Sequence, residues 1–185
     1  MFVYKSVTRI ENDQVIEEDI TDRKIVALVC LFNSDLSRMC FEYTDGSYEP
    51  LGGNFDNQFH ICSDRYINVK LFAIQKVMEQ MKYEIPYHQL HHVSTTMYPE
   101  NYNLISGNED EVEVWLFTSR VRHKITTDEG RNEDLSMLFD IEFDGLIWKD
   151  VVNLDKLVIP AVDTYLADYV SKIQTCKSYI IHKGV

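Results

Sequence analysis

The chain has 185 residues, 18 Lys and Arg against 30 Asp and Glu, a formal charge of -12, and 45% apolar and 12% aromatic residues. That length suits one globular domain with a sizeable core and a short extra arm, and the balance of apolar and charged residues excludes wholesale disorder. So acidic a chain is also a poor match for a naked DNA or RNA backbone, because each contacted phosphate needs a positive partner.

The opening MFVYKSVTRI alternates as a strand does and ENDQ is a polar turn. Residues 1–24 therefore read as an N-terminal strand or arm, able to join the main sheet or, in a homodimer, a neighbouring subunit. IVALVCLF is a continuous run rich in β-branched residues, the pattern of a strand buried on both faces. NSDLSR turns the chain, MCFEYT returns it as a hairpin partner over 25–44, and DGS breaks the pair before YEPLGG. YINVKLFAIQKVMEQMK then changes period. Ile67, Leu71, Ile74, Met78 and Met81 recur at steps of three and four, with Val77 widening the stripe, which predicts an amphipathic helix. Ser63 or Asp64 caps its start, and Pro86 follows its end.

After a His-rich connection, VSTTMY and VEVWLFTSRV are strands around the acidic turn SGNEDE. RHKITTDEGRNEDL is polar and aperiodic, hence a surface loop, and FDIEFDGLIW offers a further strand. VIPAVDTYLADYVSKIQTC closes the domain as a helix with Ile159, Val162, Tyr165, Leu166, Tyr169, Val170 and Ile173 on its buried side. The expected fold class is α/β, a mixed β-sheet sandwiched between α-helices. The main domain covers 25–170, with a helix end and tail over 171–185 where Lys172, Lys177, His182 and Lys183 form a small basic end.

Cys30, Cys40, Cys62 and Cys176 make no C-x-x-C pair and read as reduced thiols. The N-terminus lacks a signal-peptide pattern and no apolar run is long enough to span a membrane, so a soluble, cytoplasmic setting without membrane contact is expected.

In this order the pieces resemble a Nudix domain over roughly residues 25–170. Pro50-Leu51-Gly52-Gly53 is similar to the family's Pro-Gly-Gly turn, with a leucine inserted. Ala73 to Lys82 falls where the family writes Ala-x-Arg-Glu-apolar-x-Glu-Glu-x-Gly, VEVWLFTSRV resembles the strand after that helix, and EFDGLIWKDVVNLDKL resembles the closing acidic segment around Trp148. In the family the helical glutamates share one face and gather the divalent cations, typically Mg2+, that bind a substrate diphosphate.

Carried onto this chain, the glutamate positions are Lys76, Glu79 and Gln80, and only Glu79 is a carboxylate. The supporting arginine falls on Gln75 and the closing glycine on Lys82, and the stretch NFDNQFHICSDRYIN lengthens the spacing. The resemblance thus implies Gly52, Gly53, Gln75, Lys76 and Gln80 as ligand contacts and Glu79 as the remaining metal and catalytic carboxylate. A loop carboxylate often supplements the family's site, and here Glu129 and Glu133, with Asp128 and Asp134 beside them, are the candidates; a solvated acidic loop is the plainer reading. His88, His91 and His92 invite a metal, but their setting after Pro86 favours an ordinary histidine cluster. Tyr48, Phe55 and Trp115 are candidates to stack on a base, although Trp115 sits in an apolar run and Trp148 reads as a packing anchor.

These features imply a Nudix fold with a decayed box that binds a nucleotide diphosphate derivative or a protein partner with little or no hydrolysis. The alternatives are a divergent Mg2+-dependent pyrophosphohydrolase, with Glu79 and loop carboxylates holding the ion, and a non-catalytic interaction scaffold.

Overall fold

The computed structural model describes residues 7–11, 14–18, 24–44, 47–56, 59–81, 83–99, 111–121, 124–126, 132–134, 146–151 and 169–185. In chain order the strands are β1 (Val7–Glu11), β2 (Gln14–Glu18), β3 (Lys24–Phe32), β4 (Arg38–Thr44), β5 (Ser47–Glu49), β6 (Leu51–Asn54), β7 (His91–Pro99), β8 (Glu111–Arg120), β9 (Lys124–Thr126), β10 (Asn132–Asp134) and β11 (Leu146–Asp150). Helix α1 spans Arg65–Met81 and α2 spans Tyr169–Lys183.

A mixed sheet runs β11-β4-β3-β8-β7, with β5 on β4 and β6 on β3. Its centre is β3, parallel to β8 from Lys24↔Val112 to Phe32↔Arg120. The expected β3–β4 hairpin exists but is brief, joined at Phe32↔Met39, because β6 takes the same edge of β3 from Val26 to Val29.

The alternation of side chains along a strand divides β3 between two cores. Ile25, Ala27, Val29 and Leu31 join Val69, Phe72, Ala73, Val77 and Met81 of α1, together with Trp115, Phe117 and Trp148. Val26, Leu28, Cys30 and Phe32 join Tyr169, Ile173, Cys176 and Ile180 of α2. The sheet is therefore sandwiched between helices, as expected from the order of elements. Each fully buried Leu, Ile or Phe contributes about 1.5–3 kcal/mol of transfer free energy, so both layers are needed to hold β3 in place.

Several expectations change. The N-terminal arm folds as its own antiparallel pair, Val7↔Glu18 to Glu11↔Gln14, separate from the main sheet. The stretch expected as a plain loop contains a small ladder, β9 with β10, that sets Glu133 opposite Ile125. The buried stripe of α1 is rotated from the expected one: Met78 is exposed, while Val69, Phe72 and Ala73 face the sheet and Asn68 and Lys70 are buried. Periodicity sets the spacing of a helical face, but the small Ala73 and compact Val77 decide which face can approach β3 closely. Lys172 is no free basic end either, since it is buried with its ammonium 4.5 Å above the Tyr98 ring. Asp64 does cap α1, its Oδ1 accepting from the Ile67 N–H at 3.2 Å. Of the expected C-terminal stripe, Ile159, Val162, Tyr165 and Leu166 lie outside the described residues.

Candidate functional site

The glycine pair and the second half of α1 meet where β6 leaves the sheet. Gly52 and Gly53 lie within strand β6, paired with Leu28 and Ala27, and not in an open turn. Gly52 has φ +117, and a Cβ there would stand 2.0 Å from the Ala27 carbonyl oxygen, so only glycine fits. This close approach aims the Gly52 N–H at α1, where the Gln80 Oε1 accepts it at 3.0 Å.

Gln80 also donates from Nε2 to a Glu42 carboxylate oxygen at 2.6 Å. Glu42 is not among the residues that the sequence pattern singles out. Its signal was available: in MCFEYT it lies two residues from the buried Cys40, so a charged side chain occupies the strand face that turns toward α1. Gln80 thus clamps strand β6 and strand β4 to the helix. A neutral hydrogen bond of this kind contributes about 0.5–1.5 kcal/mol and one to a charged group about 1.5–3 kcal/mol.

Next to Gln80, Glu79 is held on the helix itself. The Lys76 ammonium donates to Glu79 Oε2 at 2.8 Å and the Gln75 Nε2 donates to Oε1 at 2.7 Å. Lys76 also lies 5.6 Å above the Phe72 ring. Gln75, Lys76 and Glu79 form one network, while Gln80 makes the contact with Gly52. The Lys76–Glu79 pair is well exposed, so its stabilising effect is small, about 0.2–0.5 kcal/mol, and its main consequence is to neutralise the carboxylate.

Mg2+ requires near-octahedral oxygen coordination and normally draws on one or two carboxylates besides substrate phosphates. Both Glu79 oxygens already accept from Lys76 and Gln75, and the Glu42 carboxylate is tied to Gln80. Among the described residues no group of three or more His, Cys, Asp or Glu could hold a metal. This donor set does not fit the ion. Glu129 and Asp128 lie outside the described residues, and of Glu133 and Asp134 only the backbone in β10 is described.

The histidines diverge. His88 lies in a short 3-10 turn, His91 packs 6.2 Å from Tyr179, and His92 packs 5.2 Å from Trp115. Burial holds the His92 imidazole below its ordinary range, with the Lys70 charge acting in the same direction. Trp115 is core, its Nε1 donating to Glu113 Oε1 at 2.7 Å, and Glu113 also pairs with Arg65. Phe55 packs on Phe59 and Phe72, and Tyr48 on Tyr43 and Phe41, so these rings are engaged in packing. Burial pushes the Cys40 thiol far up; a hydrogen bond with Cys30, then burial, does the same for Cys176. All four cysteines are free thiols.

The sequence matches no family model and no curated protein. Solved structures do match. The NUDIX domain of Shewanella oneidensis NrtR complexed with ADP ribose superposes with a TM-score of 0.53 at 10% identity, covering 86% of this chain and 89% of that one. The structure of Shewanella oneidensis NrtR gives 0.52 at 10% identity, over 86% and 64%. A looser likeness, 0.48 at 13% identity over 86% and 98%, is to the E. coli dihydroneopterin triphosphate pyrophosphohydrolase. The chain has the Nudix fold, a mixed sheet between two helices. Among the described residues no helix is long and apolar enough to cross a membrane.

Proposed function

We propose that this Nudix-fold domain binds a nucleotide diphosphate derivative at the β6–α1 junction without efficient metal-dependent hydrolysis. The observation that supports the reading is the Lys76 ammonium, 2.8 Å from Glu79, in the position where the family carries a metal-binding glutamate. An ammonium neutralises phosphoryl oxygens directly as a point charge, and the exposed Gln75 carboxamide, which shares Glu79 with Lys76, adds a donor beside it. Gly52 and Gly53 form the floor of the site, and Gln80 keeps that floor fixed against the helix. The binding of ADP ribose by the NrtR domain makes that compound the first ligand to try.

Calorimetric titration with ADP ribose, in Mg2+ and in EDTA, tests the proposal. Binding of similar strength in both, weakened at least tenfold by Lys76→Glu, is the expected result. Turnover that requires Mg2+ and disappears in Glu79→Gln would instead establish the divergent hydrolase. Absence of binding to ADP ribose and to a panel of nucleoside diphosphate sugars leaves the protein-partner scaffold.

A further inference from the structure

Glu42 reaches the β6–α1 junction through Gln80, and across the strands it has another carboxylate for a neighbour. In the β4–β5 register Glu42 stands opposite Glu49, and the next pair is Tyr43 with Tyr48. Directly opposed residues of an antiparallel pair share a face, so the two glutamates lie on the side of the sheet that meets α1 and the two tyrosines on the other. The Tyr43–Tyr48 ring contact at 4.9 Å and the packing of Tyr48 on the α2-side core agree with that division.

The Gln80 carboxamide shows what the Glu42 carboxylate takes. Its Oε1 accepts from the Gly52 N–H at 3.0 Å, which turns Nε2 toward β4, and Nε2 donates to Glu42 Oε2 at 2.6 Å. A carboxylate offers two oxygens with about four lone-pair directions, so this one neutral donor does not saturate it. Glu42 and Gln80 are half-buried, Gln75 and Glu49 are exposed, and the Lys76 side chain is 35% exposed. Lys76 and Gln80 lie one turn apart on one side of α1, about 5.4 Å along its axis. A strip of accessible surface therefore runs from Lys76 past Gln80 to the glutamate pair, and its two ends select opposite chemistry. The ammonium draws phosphoryl oxygens, whereas the carboxylates repel them and accept from hydroxyl groups.

Resting on the diphosphate reading of this same junction, we propose that Glu42, with Glu49 beside it, selects ligands in which a sugar with free vicinal hydroxyls adjoins the diphosphate. The hydroxyls donate to the Glu42 oxygen that Gln80 does not use. Phe41, Tyr43 and Tyr48 belong to the opposite face, so β4 and β5 present acceptors here and no ring for a base. The sugar at Glu42 is accordingly the one that carries no base, and the preferred ligands are nucleoside diphosphate sugars over plain nucleoside diphosphates.

The test is calorimetric titration of ADP ribose and of ADP, which share the nucleoside and the diphosphate and differ in the terminal ribose, with EDTA present. The parent chain should bind ADP ribose at least fivefold more tightly than ADP, the scale of one hydrogen bond to a partly solvated charged group. Glu42→Gln keeps an acceptor for Gln80 and should bring that ratio below twofold. Glu49→Gln, an exposed change that spares the Gln80 bond, should lower the ratio in the same direction and carries the test if Glu42→Gln does not fold. Lys76→Glu should weaken both ligands and preserve their ratio, a pattern that general loss of structure does not produce. Equal binding of the two ligands by the parent, or a preference that both glutamate variants leave intact, would overturn the role of Glu42 while the diphosphate site stands. So would a preference seen only when Mg2+ replaces EDTA, because a metal would then be bridging the carboxylates. Binding of neither ligand by the parent would overturn the diphosphate reading and the role of Glu42 with it.

Discussion

On the α2 side of the sheet, Val26, Leu28, Cys30 and Phe32 meet Tyr169, Ile173, Cys176 and Ile180, and the few polar groups there include thiols, one phenol, the Thr118 hydroxyl and Lys172, with Cys30 Sγ 3.8 Å from Tyr169 Oη and Thr118 donating to the Cys30 carbonyl. On the α1 side, the alternate residues of the same strand meet a helix that also brings Asn68, Lys70 and Gln80 inward. Asn68 alone accepts from the Ile61 and Cys62 N–H groups at 3.0 and 3.1 Å and donates to the Cys62 carbonyl at 2.8 Å. One face is sealed by apolar packing and the other is fastened by directed polar contacts. A face of the second kind can present groups to a ligand, because its side chains are already oriented and partly open to solvent.

The comparison is most severely tested at Gly52. Gly52→Ala combines a positive φ with a backbone clash and should destabilise the fold by on the order of 4 kcal/mol, read from urea denaturation. A loss below about 1 kcal/mol would mean that β6 is not held against β3 as described. Next comes Ile173→Ala on the sealed face, expected to cost about 3 kcal/mol through transfer and cavity terms. It should leave ADP ribose affinity unaltered under native conditions, and a parallel loss of affinity would show that the two faces are not independent.

Gln80→Leu should cost about 2 kcal/mol, since it strands the Gly52 N–H and the Glu42 carboxylate, and unlike Ile173→Ala it should weaken ligand binding as well. Smallest is a pH effect. The unfolded His92 has an ordinary pKa of about 6.5, whereas burial lowers the folded one, so the unfolded chain takes up the proton first as pH falls. The contribution is present above about pH 6.5 and is lost as pH falls below it, until folded His92 protonates too. The denaturation midpoint of the parent should therefore drop more between pH 7.5 and 5 than that of His92→Phe; identical slopes would remove His92 from the polar face's account.

The sealed face was the more legible one. IVALVCLF announces a doubly buried strand because every position is apolar, and Tyr169 and Ile173 follow helical spacing. The polar face is less legible because Asn68 and Lys70 are buried and Gln80 is turned toward β6, all of which a hydrophobic pattern assigns to solvent, while Met78 is exposed. Glu42 escaped notice for a related reason. A carboxylate in a short strand carries no local mark of its partner, and Gln80 lies 38 positions away. The Gly52-Gly53 pair stands out in the sequence, but the requirement for glycine at 52 comes from the Ala27 carbonyl on β3, which only the folded chain supplies.

The parallel pairing of β3 with β8 has a consequence for the order of assembly. Its ladder joins residues 88 positions apart, as Thr118 and Cys30 do through the hydroxyl-to-carbonyl bond at 3.0 Å. During synthesis the central strand therefore waits, with one edge unpaired, until residue 120 has left the ribosome, about two thirds of the way along the chain. Such non-local closure slows folding and leaves a β-branched, apolar strand open to wrong partners in the interval. The short β6 segment, paired with β3 from nearby in sequence, covers half of the other edge early and acts as a guard for the nascent centre of the sheet.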